Sequence, residues 1–177
     1  MKEKLYGLMA EFDKPEELLR AAREAYKAGY RNMDAYSPSE IDGVAEAIGF
    51  TKTRVPLVVL IGGIVGAGTA YLMQYYSAVR DYPLNVGGRP LHSWPSFIPI
   101  TFELTVLFAA FAAVIGMLAM NRLPKPYHPV FNTPEFKLAS QTRFFLCLEA
   151  SDTQFDLRSA RHFLGSLAPL AIHEVEL

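Results

Sequence analysis

The chain has 177 residues, with 17 Lys+Arg against 18 Asp+Glu and a formal net charge of -1. That length suits about one domain, and the charge gives no polybasic signature for nucleic acid, which is excluded as a partner. Charged residues are 20% and apolar ones 51%, with a mean hydropathy of +0.14, so the apolar content must be concentrated somewhere. The single cysteine, Cys147, excludes an intramolecular disulfide, a CxxCH haem attachment and any metal or iron–sulfur site built on two or more cysteines of this chain.

Taken in order, Leu5–Phe12 reads as a strand. Asp13 stands where an N-cap would, with Pro15 two residues on and Glu16 and Glu17 in the first turn. Leu18, Leu19, Ala22, Ala25 and Tyr26 then recur at helical spacing, and Gly29 ends the helix. Residues 30–36 read as a second strand stopped by Ser37-Pro38, and residues 41–48 as a short helix ended by Gly49. The start, Met1-Lys2-Glu3-Lys4, leads into no early apolar stretch, so no cleaved leader is expected.

Two apolar blocks come next. Residues 55–79 carry no charge and are bounded by Arg54 and Arg80. Residues 97–120 carry one, Glu103, and are followed by Arg122. At about 1.5 Å per residue both exceed the roughly 30 Å of a bilayer's hydrocarbon core. Lys52, Arg54, Arg122, Lys125 and Lys137 lie outside the pair, whereas only Arg80 and Arg89 lie in the 80–96 loop. This balance predicts a multi-pass inner-membrane protein with both termini cytoplasmic and a periplasmic loop.

The run VVLIGGIVGAGTA at 58–70 imitates a dinucleotide-binding turn, but the G-x-G-x-x-G frame would need Gly at position 61, which is Ile, and no βαβ unit comes after it. In a membrane helix the same glycines have another use. Gly62, Gly66 and Ala70 share one face, and Ala109, Ala113, Ala112 and Gly116 form a similar row on the second span. Small residues at this spacing permit close helix approach, within the hairpin or against another subunit.

Residues 121–140 join the second span to the C-terminal segment. Pro124, Pro126, Pro129 and Pro134 predict an extended, stiff stretch, and Tyr127, Phe131 and Phe136 suit a strap laid over a partner surface. Residues 143–150 read as a strand, Asp152 or Thr153 as the cap of a helix running to about Leu167, and residues 171–177 as a last strand. The order is therefore β-α-β, membrane hairpin, β-α-β. Neither soluble half could bury an adequate core alone. Together they predict a membrane α+β protein: a two-helix hairpin (55–79, 97–120) inserted between the halves (1–54, 141–177) of a ferredoxin-like, split βαβ domain.

Candidate chemistry is sparse. Glu103 lies roughly 9 Å in from the loop side, counted from Phe97, and has three readings: a proton relay, a hydrogen bond to a neighbouring helix, or a shallow carboxylate reaching water or a headgroup. Gln74 suits a packing hydrogen bond. His92, His128, His162 and His173 neither lie in a span nor cluster, so no bis-His haem site is expected. Asp152 and Asp156 fit a helix start, Cys147 a buried strand position, and Trp94, Tyr75, Tyr76, Tyr82 and Phe97 an interfacial aromatic belt. On these residues alone, a stand-alone membrane-anchored ligand-binding or regulatory module is an alternative to a subunit of something larger.

Five stretches carry a resemblance: YGLMAEF, AGYRNMDAYSP, WPSFIPITFELTVLFAA, NRLPKPYHPVFNTPEF and RFFLCLEASDTQFD. The chain resembles the two-helix D subunit of alternative complex III along nearly its whole length, most specifically over 94–155. One departure falls in a connector, where the family's Ser-Pro runs on into Phe-Pro and this chain has Ser39-Glu40. The resemblance implies a bacterial complex that oxidises quinol and passes electrons to a periplasmic carrier or an oxygen reductase. It implies haem c and iron–sulfur clusters in partner subunits, large quinol-binding membrane subunits as neighbours, contact with lipid, and a structural, cofactor-free role for this subunit.

Overall fold

The computed structural model describes residues 5–177; residues 1–4, the Met-Lys-Glu-Lys start, lie outside the described residues. The described residues divide into two compact units, one made of residues 5–52 and 126–177, the other of 53–125.

The first unit is a mixed helix–sheet domain. Its strands are β1 (Leu5–Phe12), β2 (Met33–Tyr36), β3 (Phe144–Glu149) and β4 (Ala171–Glu176). They form one sheet in the order β2-β3-β1-β4, and every pairing is antiparallel. Strands β1 and β2 are not neighbours: β3, from the far end of the sequence, lies between them, with Met9 opposite Cys147 and Asp34 opposite Cys147 on its other edge.

Strand alternation sends successive side chains to opposite faces. One face carries Leu8, Ala10, Phe12, Leu146 and Leu148, all fully or almost fully buried under the helices α1 (Pro15–Lys27) and α5 (Leu157–Ser166). The helices contribute Leu18, Ala21, Ala22 and Ala25 from α1 and Ala160 and Leu164 from α5, a stripe at helical spacing. Gly29, with φ +104°, reverses the chain after α1 in the left-handed region. The opposite face carries Met9, Phe145, Cys147 and Val175 and is covered by Val130, Phe136 and Ala139.

Several local expectations are corrected. Residues 121–140 are not extended throughout: they fold into 3-10 turns at Pro129–Asn132 and Pro134–Ser140. Each proline occupies the first position of its turn, where no N–H is needed, and His128 Nδ1 accepts the Val130 N–H at 3.4 Å. The second strand is shorter than residues 30–36 because the Arg31 and Asn32 N–H groups are taken by Asp152 rather than by a strand. The short helix α2 covers only Val44–Ala47. Lys14, not Asp13, holds the N-cap position of α1; Asp13 instead pairs with Arg143. Asp156, not Asp152 or Thr153, caps α5, accepting the Ser159 N–H at 3.0 Å.

The second unit is a hairpin of two long apolar helices, α3 (Val55–Tyr75), continued by a π-helical turn at Tyr76–Asp81, and α4 (Trp94–Met120). The helical spans run beyond the 55–79 and 97–120 expected. In α4 the reason is Pro95, which sits in the first turn where a missing N–H costs nothing. Each helix buries one stripe against the other and exposes the rest: Leu60, Ile64 and Leu72 on α3 and Phe102, Phe111 and Ile115 on α4 are more than half exposed.

The helices approach closely at glycine. A Cβ on Gly62 would stand 2.4 Å from Ala112 Cβ, one on Gly66 would stand 2.5 Å from the Leu104 carbonyl oxygen, and one on Gly116 would stand 2.8 Å from Val58 Cγ1. Nothing lies within 4 Å of such an atom on Gly68. Gly66→Val is therefore expected to force the helices apart and destabilise the purified chain in detergent by about 1–3 kcal/mol, the range for overpacking. Gly68→Val, on the open side, should leave its thermal unfolding close to wild type, and equal losses for the two variants would refute the packing argument.

Candidate functional site

Three groups of polar side chains stand out in the first unit, and each is assembled by the fold from residues distant in sequence. The first centres on Asp152, which is buried at 6% exposure. Its Oδ2 accepts the N–H groups of Arg31 and Asn32, both at 2.6 Å, and its Oδ1 accepts that of Gln154 at 2.8 Å. Burial opposes the charge, but these N–H donors and the Arg31 guanidinium outweigh it and hold the carboxyl below its ordinary range. Asp152 thus clamps the turn before β2 to the turn after β3. Asp156 is also held low, by the Ser159 N–H and hydroxyl that it caps.

The second group lies on the sheet face opposite the helices. Tyr6 Oη donates to Glu149 Oε1 at 3.0 Å and stands 3.5 Å from His128 Nε2, with the two rings edge to face. Burial, then the Glu149 carboxylate, raises the Tyr6 phenol above its ordinary range; burial, then Asp34, does the same for Tyr36. Cys147 lies among them, fully buried, and burial followed by the Asp34 and Glu149 carboxylates pushes its thiol up to about 12.

The third group closes the other end of that face. Glu11, 8% exposed, lies between Arg143 Nε at 3.4 Å and His173 Nε2 at 3.3 Å. His173 Nδ1 is 3.7 Å from Glu135 in the second 3-10 turn. Beside it an open polar hollow of about 460 Å³ is lined by Asn132, Thr133, Glu135, Glu174 and Glu176. Thr133 Oγ1 is buried without a hydrogen-bond partner. Among the described residues no group of three or more His, Cys, Asp or Glu is arranged to hold a metal ion.

In the hairpin, Gln74 Nε2 reaches across to the Phe97 carbonyl at 3.2 Å and Thr101 Oγ1 at 3.3 Å. Near the same end, Tyr71 Oη and His92 Nε2 are 2.7 Å apart, in a ring cluster with Tyr75 and Phe97. Trp94, Tyr76 and Tyr82 are exposed around it. Of the small residues singled out, Gly62, Gly66, Ala70, Ala109, Ala112, Ala113 and Gly116, only Gly66 and Ala70 are buried. Gly62, Gly66 and Gly116 face the other helix of the same hairpin, where any added Cβ would clash. Glu103 is exposed on α4 and makes no hydrogen bond or ion pair with the described residues.

Sequence reasoning missed the Asp152 clamp and the Glu11–Arg143–His173 group. An acidic residue just after a strand was a signal for the clamp, but its partner Asn32 lies 120 residues earlier.

The fold therefore defines a helix–sheet domain joined to an apolar hairpin, whose outer surface suits a membrane and whose polar groups bind backbone and one another. Its two helices are each long and apolar enough to cross a bilayer. The chain matches the family described as Alternative complex III, ActD subunit, over residues 6–174, and it belongs to that family. It is thus a subunit of alternative complex III, a membrane-bound respiratory oxidoreductase complex. No curated protein matches the chain.

Buried as it is and raised in pKa, Cys147 should resist maleimide at pH 8 in the folded protein and react once guanidinium unfolds it. Rapid labelling of the native chain would contradict this environment. Asp152→Asn should destabilise the protein by about 2 kcal/mol, the cost of weakening charge-assisted bonds to buried N–H groups. Because the folded pKa is depressed, this contribution is present above about pH 4, the ordinary carboxylate range. It is lost as pH falls through the lower folded value, so the gap between wild type and variant should close in acid. A gap independent of pH would refute the ionised clamp.

Proposed function

We propose that this chain is a cofactor-free integral membrane subunit that stabilises a quinol-oxidising complex, which feeds electrons to a periplasmic carrier or an oxygen reductase. The subunit itself is non-catalytic. Haem c and iron–sulfur clusters belong to partner subunits. The observation that carries this reading is the division of labour in the chain. Asp152, Asp156, Tyr6 and Tyr36, whose pKa values are depressed or raised, each have a hydrogen-bond partner within the domain, as Asp152 has in the N–H groups of Arg31 and Asn32. The hairpin, by contrast, leaves a wide apolar surface exposed. A lone two-helix hairpin in lipid gains little from hydrophobic association, so such a surface suits larger membrane subunits and lipid.

In this reading the domain is a split βαβ, ferredoxin-like fold. The strand order β2-β3-β1-β4 with both helices on one face supports it. The domain and both termini lie in the cytoplasm and the 80–96 loop faces the periplasm, an arrangement supported by the excess of Lys and Arg outside the loop. The segment 121–140 is an ordered strap, but the surface it covers is this chain's own sheet rather than a partner's, a reading supported by the burial of Val130, Phe136 and Ala139 there.

Affinity purification of the chain from native membranes in mild detergent tests the proposal. The expected result is a stoichiometric, haem-coloured assembly that oxidises quinol. A colourless chain, pure and stable by itself, would overturn it in favour of a stand-alone ligand-binding module.

A further inference from the structure

Glu103 is the only acidic or basic residue in α4. Its own hairpin could have provided a partner, and does not. Helix α3 packs on the side of α4 that holds Thr101 and Thr105, near Gln74 and Gly63. Glu103 is two residues from each of those threonines, about 200° around the helix axis, and so points away from α3. Pro99, Val106 and Ala110 share its face, and all three are exposed.

Depth makes this placement costly. Twenty-seven residues of α4 span about 40 Å, so a hydrocarbon layer of about 30 Å centred on it leaves about 5 Å of helix beyond each edge. Glu103, nine residues after the interfacial Trp94, then sits about 9 Å inside the apolar layer. The short glutamate stem cannot snorkel as Lys and Arg do. Carboxyl groups at such depth face protein or water and are paired.

Resting on the proposed role as a membrane subunit, we infer that the Glu103 face of α4 is an interface with another subunit of the complex, whose membrane helix presents a hydrogen-bond donor side chain at that depth. The occupant is defined by charge complementarity: a basic side chain, or a hydroxyl or amide, that the carboxyl group requires and this chain does not supply. The exposed Ala110, about two turns further along the same face, lets the neighbouring backbone come near.

The test uses the intact complex purified through another of its subunits. Glu103→Leu is expected to lower retention of this chain at least fivefold. Retention of Glu103→Gln at the wild-type level would assign a neutral donor, and a loss equal to that of Glu103→Leu a basic one. Because Glu103→Leu could fail to insert, a photo-crosslinker at Leu107, with Glu103 intact, supplies a second readout; its expected product is an adduct with one membrane subunit. Retention of Glu103→Leu at the wild-type level, or adducts with lipid only, overturns the inference. Full retention of both variants with loss of quinol oxidation overturns it in favour of proton transfer through Glu103. Failure of the wild-type chain to co-purify at all would instead refute the proposed function.

Discussion

Everything in the first unit depends on β3 lying between β1 and β2. Without it the N-terminal segment has two strands that cannot touch, and the C-terminal segment has two strands that touch only through β1. The helix-face core is equally shared: Leu8 and Leu18 come from one end of the chain, Leu146 and Leu164 from the other. Such a sheet forms only when residues more than a hundred apart meet, as Met9 and Cys147 do. That closure is entropically expensive for a flexible chain. The antiparallel hairpin lessens it, because Gly116 packs on Val58 and so brings the ends of α3 and α4 together.

The polar groups serve the same closure. Asp152 ties the turn after β3 to the backbone before β2. Arg143, at the start of β3, binds Glu11 and Asp13 at the end of β1. Tyr6 donates to Glu149 at the opposite end of the same strand pair. Each bond joins the two halves of the chain and lies at a strand end, where backbone pairing runs out. The perturbed Asp152 carboxyl and Tyr6 phenol accordingly lie along this seam. Structural hydrogen-bond networks perturb pKa values as sites of chemistry do, and here Asp152 and Asp156 are held by backbone N–H groups while Tyr6 and Tyr36 donate to Glu149 and Asp34.

Elements with strong periodicity were legible in the sequence. The amphipathic stripe of α1, the continuous apolar run of β3 and the uncharged length of α3 each specify their own structure from local residue pattern alone. What local spacing could not show was where a polar side chain finds its partner. Asp13 and Asp152 both look like helix caps in the sequence, yet Asp13 is drawn to Arg143 and Asp152, well before the start of α5, to Arg31 and Asn32. The 3-10 turns in 121–140 were hidden for a related reason: proline disfavours helix interiors but fits the first position of a short turn, and only packing of Val130 and Phe136 on the sheet selects the turn. Similarly, the glycines of α3 announced close approach without saying to what.

The glycine faces and the Glu103 face divide the hairpin's surface into two kinds of contact. Between α3 and α4 the contact is steric: small residues, a shared glutamine and backbone carbonyls within reach of where a Cβ would be. Such a contact needs no charge and is complete within the chain. On the far side of α4 the surface is bulky and apolar, and it carries one carboxyl group that the chain leaves unanswered. A bilayer penalises that group whether or not the hairpin is well packed. The inner face therefore determines that the hairpin holds together, while the outer face determines that it does not remain alone, and the two requirements are met by opposite sides of a single helix.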